Sequence, residues 1–254
     1  MKRKDSKDLR RAKVVFLFDV DNTLLDNDRI IVDLGRHLTH EVGFARARCY
    51  WTIFARLRSR LGYADYLGSL QRYRIEHPHD LGLLAVSRFL INYPFANRLF
   101  SHALDVIERV KRWGPAVLLS DGDVVFQPRK VDCSGLYAAV DGHALIYVHK
   151  ERELADVEAR YPADHYVMVD DKLRLLAAIK RTWGERVTTV FARQGHYARD
   201  EKMLASQPPA DLSVDRIGAL LKCDLADFTR RAAKVGSNRA VSRTGFLRSK
   251  CNRN

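Results

Sequence analysis

Two carboxylates stand two positions apart in Asp19-Val20-Asp21-Asn22-Thr23, directly after the apolar run Val14-Val15-Phe16-Leu17-Phe18. A short run of β-branched and aromatic residues reads as a strand buried on both faces. Open α/β sheets bind ligands beyond the carboxyl ends of their strands, so acids at this exit can converge on one site. Mg²⁺ suits such oxygens, usually taking one or two carboxylates alongside substrate phosphate. One carboxylate can attack phosphorus. The other can pass a proton to the leaving group and later take one from water. Taken alone, the pentapeptide also fits a strand-ending turn with solvated Asp and Asn.

Three further pieces sit at comparable exits. Ser120-Asp121-Gly122 follows an apolar stretch at 116–119. The Ser120 hydroxyl and the backbone N–H of Asp121 can hold a phosphate oxygen, much as anions are held at helix N-termini. Lys150 falls between an apolar stretch at 144–148 and a helical segment opened by Glu151 and Glu153, where it can neutralise both phosphate and nucleophile. Asp170-Asp171 follows the stretch at 166–169. Adjacent acids there repel unless a cation or a lysine lies nearby. Each piece alone is compatible with an ordinary turn or a surface residue. Lys130 is a rival for the lysine role, and strand-end placement favours Lys150. Lys172 reads as a local charge partner of the acidic pair.

The elements that must position these residues alternate. Strands are predicted at 14–18, 116–119, 166–169, 187–192 and 211–214, separated by helical stretches at roughly 95–112, 123–136, 151–161 and 172–182, with a last helix at about 215–222. Such alternation implies a parallel sheet built by right-handed crossovers. Residues 138–140 and 144–148, joined by Asp141-Gly142, read as a hairpin. The stretch from about 27 to 93 has no strand signal. Phe44, Ala47, Trp51, Phe54, Leu57 and Leu61 recur at spacings of three and four, the apolar face of a helix. Gly62, Pro78 and Pro94 punctuate this stretch into three or four helices. It reads as a helical domain inserted into the α/β core.

With the four pieces placed on strand exits in this order, the chain resembles the haloacid dehalogenase-like (HAD) superfamily. The matching motifs are Asp19-Val20-Asp21-Asn22-Thr23, Ser120, Lys150 and Asp170-Asp171, over roughly 13–222. The resemblance implies a Rossmann-like α/β parallel-sheet core at 13–26 plus 95–222 and an all-helical cap at 27–94. The short span between Ser120 and Lys150 leaves no room for a second large cap. It implies a Mg²⁺-dependent phosphatase acting on a small organic phosphomonoester through an aspartyl-phosphate. Asp19 would be nucleophile and metal ligand, and Asp21 the general acid/base with its backbone carbonyl on the metal. Thr23, Ser120 and Asp121 would hold the phosphoryl group, Lys150 would orient Asp19, and Asp170 and Asp171 would bind Mg²⁺. Asp21 is an acid where the resembling dehalogenases carry a non-acidic residue. A leaving alkoxide needs a proton and a halide does not, so the phosphatase branch is favoured. A phosphomutase using the same site is the alternative.

Charge separates the ends from the body. Residues 1–13 carry seven Lys/Arg against two acids, residues 228–254 eight against none, and the body at 14–227 is balanced at 29 each, within a net charge of +13. Residues 1–12 and 228–254 therefore read as basic extensions, the latter disordered from about 232. They offer weak, non-specific nucleic-acid contact; a nucleic-acid-associated protein docked by these tails is the reading from another class. No apolar run reaches the roughly 18–20 residues of a membrane span. The basic N-terminus lacks the apolar stretch of a secretory signal, so the expected location is cytoplasmic. Cys49, Cys133, Cys223 and Cys251 lack metal spacing and read as reduced thiols, the first two as packing residues. The cap is expected to set the substrate: residues 26–98 carry eleven Arg, no Lys and seven acids. Arg46, Arg48, Arg56, Arg58 and Arg60 cluster on or beside one helix, and Arg72 and Arg74 flank Tyr73. Arginine suits bidentate capture of carboxylate or phosphate. His37, His40, His77 and His79 suggest no partner, and 27–28 and 93–97 are the expected hinges.

Overall fold

The structure, a computed structural model, describes residues 11–229. The basic segments before and after these, including Cys251, lie outside the described residues. Strand β1 (Ala12–Phe18) leads into three helices, α1 (Asn27–Leu61), α2 (Tyr66–Glu76) and α3 (Leu83–Ile91). After α4 (Ala103–Lys111) the chain alternates: β2 (Ala116–Asp121), α5 (Phe126–Cys133), α6 (Leu136–Ala139), β3 (Ala144–Tyr147), α7 (Leu154–Arg160) and β4 (Ala163–Asp170). It continues through α8 (Leu173–Trp183), β5 (Val187–Ala192), α9 (Glu201–Ala205), β6 (Leu212–Val214) and α10 (Leu225–Thr229). All strand pairs are parallel, in one six-stranded sheet of order β3-β2-β1-β4-β5-β6. Among the described residues no helix is long and apolar enough to cross a membrane.

β1 is buried on both faces because its side chains alternate between two apolar layers. Val14, Phe16 and Phe18 face the layer shared with α4, α5 and the cap helices. Val15 and Leu17 face the layer under α7 and α8. This explains the unbroken apolar run in the sequence. Phe18 pairs with Leu118 of β2 on one side and Val169 of β4 on the other. The residues that leave these three strands are therefore neighbours.

Residues 138–148 do not form the expected hairpin. Residues 136–139 are helical, and β3 lies parallel to β2, from Leu118 opposite Ala144 to Asp121 opposite Tyr147. Asp141 and Gly142 do take left-handed φ values of 54° and 81°. They reverse the chain after a helix, and the strand they feed pairs with an element further back. In α1 the backbone breaks at Gly43 (φ 77°, ψ 161°). Phe44, just past that break, is 68% exposed, whereas Ala47, Tyr50, Ile53, Phe54 and Leu57 form the buried stripe. Cys49 and Cys133 are exposed, so neither packs in a core as expected.

The two segments joining the helical layer to the sheet domain run side by side. Asp26 N–H donates to Arg98 O (2.7 Å), and Phe100 N–H donates to Leu24 O (2.9 Å). Beside them Asp33 accepts from Tyr93 Oη (2.6 Å) and Arg98 Nη2 (2.8 Å). The expected hinge positions lie at the start of α1 and in the turn Phe95–Arg98 that precedes this pairing.

The expected start of the basic tail, 228, falls inside the fold. Phe228 is buried and stands edge-on to Phe16 at 5.5 Å, while its carbonyl accepts from Thr188 Oγ1 at 2.7 Å. Phe228→Ala should lower stability by about 3 kcal/mol in urea unfolding, the usual cost of emptying an aromatic core site. A change near zero would mean that α10 is not docked on the sheet.

Candidate active site

Strand register brings the predicted residues together. Asp19 leaves β1 with its N–H bonded to Val169 O (2.9 Å). Lys150, from the turn Lys150–Arg152 after β3, reaches back over the sheet edge. Its ammonium lies 2.5 Å from Asp19 Oδ1 and 2.6 Å from Asp170 Oδ2, and donates to Leu119 O at 3.2 Å. The Asp170 contact is an ion pair without hydrogen-bond alignment, since Asp170 Oδ2 has no hydrogen-bond partner. Thr23 Oγ1 donates to Asp19 Oδ2 (3.3 Å). Ser120 Oγ accepts from Gln127 Nε2 (2.9 Å), which leaves its own proton free to donate. Asp121 Oδ1 accepts from the backbone N–H of Lys150 (2.7 Å), tying the β2 exit to the lysine turn.

Asp21 sits apart from this cluster. Lys130 Nζ, wholly buried on α5, lies 2.7 and 2.9 Å from the two Asp21 oxygens. Its remaining bond goes to Asn27 Oδ1 (3.1 Å), and Asn27 Nδ2 donates to Tyr66 Oη of α2 (3.3 Å). The rival lysine of the sequence therefore has its own partner. Lys150 serves Asp19, and Lys130 links Asp21 to the first residue of α1 and to α2.

Several supporting residues carry no signal in the sequence. Asn22, with left-handed φ 61°, accepts from the N–H groups of Asn27 (3.0 Å) and Asp28 (3.2 Å), so the motif loop caps α1. Gly195 packs against it: a Cβ there would fall 2.6 Å from Asn22 Cβ, and φ is +70°. Gln194 donates to Thr23 O (2.9 Å) and accepts from Ile217 N–H (2.8 Å). His196 lies 2.6 Å from Asp28 Oδ1. Gln194 and Gly195 reach the motif loop, and His196 the first turn of α1, from far away in the chain. Of the histidines noted in the sequence, His37 stacks on Phe89 at 4.4 Å, His77 lies against Tyr73 at 4.7 Å and His40 Nδ1 is 2.9 Å from Glu41 Oε1.

A cleft of about 240 Å³ separates the helical layer from the strand exits. Asp21, Asp121, Gln127 and Lys172 line it from the sheet side, and Phe54, Arg58, Tyr63 and Tyr66 from the helical side. Of the clustered arginines, Arg58 faces this cleft. Arg48 and Arg56 line a separate hollow on the outer face of α1, and Arg46 pairs with Asp80 at 2.9 Å.

Buried charge dominates the electrostatics. Burial pushes the Asp19 carboxyl up, but Lys150 and Lys172 outweigh it and hold the group below its usual value. Burial raises Asp170 despite Lys150, and raises Asp171 strongly because its nearest cation, Lys172 Nζ, stays 3.8 Å away. For Lys150 burial works downward, yet Asp170 and Asp19 carry the ammonium above the ordinary lysine range. Asp19, Asp170 and Asp171 each offer an oxygen within 4.8 Å of the others. Both Asp171 oxygens are buried without a hydrogen-bond partner. An all-oxygen donor set with unsatisfied buried carboxylates fits a hard divalent cation such as Mg²⁺. Asp171→Asn should therefore stabilise the protein in EDTA by about 1–3 kcal/mol. The same variant should lose the rise in Tm that Mg²⁺ gives the wild type. Calorimetric melting with and without Mg²⁺ checks both, and an unchanged Mg²⁺ response would remove Asp171 from the metal site.

No family model and no curated protein matches the chain. Solved structures do. A protein of Burkholderia xenovorans LB400, described as a haloacid dehalogenase-like hydrolase, is 58% identical, covering 84% of this chain and 99% of its own, with a TM-score of 0.81. The HAD-hydrolase YfnB of Bacillus subtilis, bound to magnesium, shares 15% identity over 84% and 98% of the two chains (TM-score 0.57). The L-2-haloacid dehalogenase of Xanthobacter autotrophicus with chloropropionic acid covalently bound shares 16% over 83% and 98% (TM-score 0.53). The two distant matches agree in fold. With the sheet order, the four motif positions at adjacent strand exits and the first of these relatives together, the chain belongs to the haloacid dehalogenase-like hydrolases.

Proposed function

We propose that this hydrolase acts on phosphomonoesters, with Asp19 as nucleophile and Asp21 as acid and base. The observation that carries the reading is the second carboxylate. Asp21 faces the cleft and is held there on both oxygens by Lys130. Displacing halide needs no proton donor; expelling an alkoxide does.

An Asp19 oxygen attacks phosphorus and forms an O–P bond as the bond to the leaving oxygen breaks. Asp21 gives that oxygen a proton. A water molecule then loses a proton to Asp21 and attacks the phosphorus of the aspartyl-phosphate, releasing phosphate and restoring Asp19. Lys150 holds Asp19 and offsets its charge as the anionic phosphoryl group approaches. Ser120 Oγ, the Asp121 N–H and Thr23 Oγ1 receive the phosphoryl oxygens. Mg²⁺, held by Asp19, Asp170, Asp171 and the Asp21 backbone carbonyl, would supply the charge that stabilises those oxygens. Lys130 keeps the Asp21 carboxylate aimed into the cleft.

With Mg²⁺, phosphate should be released from at least one member of a phosphomonoester panel, and EDTA should abolish it. Asp19→Asn should reduce kcat by roughly three orders of magnitude or more. Substantial residual turnover would remove Asp19 as nucleophile, and halide release from 2-chloropropionate without phosphatase activity would replace the reading.

Lys130→Met tests the acid. It should slow the first step on an alkyl phosphate, read as alcohol release in a single turnover, by about 10²-fold, the scale of general acid catalysis. In the same step on p-nitrophenyl phosphate, whose leaving group needs no proton, the loss should be only a few-fold. Equal losses on both would make Lys130 merely structural.

A further inference from the structure

Arg58 stands across the cleft from the strand exits, on a cap helix, with a neutral partner. Its guanidinium donates to the hydroxyl of Tyr197, and among the described residues it forms no ion pair. The same tyrosine carries a second cation: Lys172 Nζ lies 5.4 Å from its ring centroid. Lys172 also faces Asp171 at 3.8 Å, and Arg174, on the same wall, faces Glu151 at 4.0 Å, so both of these cations have a carboxylate and Arg58 has none among the described residues. The cleft's acids are already engaged. Asp21 is bound by Lys130, and Asp121 accepts from the Lys150 backbone. Arg58 is therefore the cation of this cleft that is left without a carboxylate.

Size narrows what can supply a carboxylate. The cleft volume of about 240 Å³ lies below the roughly 300–1,000 Å³ of pockets that enclose drug-sized ligands, so a small ligand suits it. Phe54 and Tyr66 supply apolar and aromatic wall between the two charged ends. A guanidinium presents a planar fork of donors that matches a carboxylate in two parallel bonds.

Resting on the hydrolase reading above, we infer that the substrate is a small phosphorylated carboxylic acid. Its phosphate lies at the strand exits, and its carboxylate is bound by Arg58, displacing the Tyr197 hydroxyl. Arg58 is then the specificity-determining residue of the cap.

Phosphonates test this without turnover, because their C–P bonds are not hydrolysed as phosphate esters are. The probes are 4-phosphonobutanoate and n-butylphosphonate, which differ in the terminal carboxylate. Titration calorimetry in Mg²⁺ should show the wild type binding the first at least about tenfold more tightly, as one charged bidentate contact gives. Arg58→Gln should erase that preference while leaving n-butylphosphonate affinity and Tm unchanged. Arg58→Lys should restore only part of it. Equal affinities in the wild type, no binding of either probe, or an undiminished preference in Arg58→Gln would overturn the inference. Phosphate release from ordinary monoesters reports on the hydrolase reading separately. A carboxylate preference in a protein that releases no phosphate would sink that reading alone.

Discussion

The ammonium of Lys150, buried between Asp19 and Asp170, is the interaction on which the site depends. Three carboxylates closed off from water at one sheet edge cannot all remain charged without compensation. Lys150 meets two of them at 2.5 and 2.6 Å. Lys150 follows β3 in the chain, so the outermost strand supplies the counter-charge for Asp19 at the end of β1. The cluster is still left with Asp171, whose two oxygens have no partner. Such residual charge is a standing cost to the fold, of the kind that proteins tolerate at functional sites.

Much of this could be read from one sequence because the informative residues are local to their strands. Asp19 and Asp170 follow short apolar runs that read as doubly buried strands, and the exits of neighbouring parallel strands lie side by side. The choice between Lys150 and Lys130 followed from strand-end placement. What Lys130 does instead was not legible, because its partner Asp21 lies 109 residues away. Gln194 was missed for the same reason, bonding to Thr23 across 171 residues. The hairpin at 138–148 failed differently. Asp-Gly is a sound local signal for a reversal, but it does not say which strand the next segment joins. Phe44 shares the spacing of the buried stripe, yet it directly follows the break at Gly43 and is exposed, and spacing alone does not show where a stripe leaves the packed surface.

The helical layer is coupled to the chemistry through polar residues at its base. Asn22 caps α1 from the loop that carries Asp19 and Asp21, and Asn27 joins Lys130 to Tyr66. The first turn of the cap and the Asp21 carboxylate thus share one hydrogen-bonded frame. A change in cap position alters the surroundings of Asp21 directly, with no need for a long chain of packed contacts.

The paired connections between the two layers have a mechanical consequence. Leu24 and Asp26 are hydrogen-bonded to Phe100 and Arg98, so the two crossings form a short two-stranded ribbon instead of two independent tethers. A ribbon resists shear and in-plane bending but flexes readily about the line across its width. The cap therefore has one soft degree of freedom, a swing toward and away from the strand exits. Sideways sliding would break the cross-links. A swing about that line keeps the face of α1 that carries Arg58 opposite the strand exits.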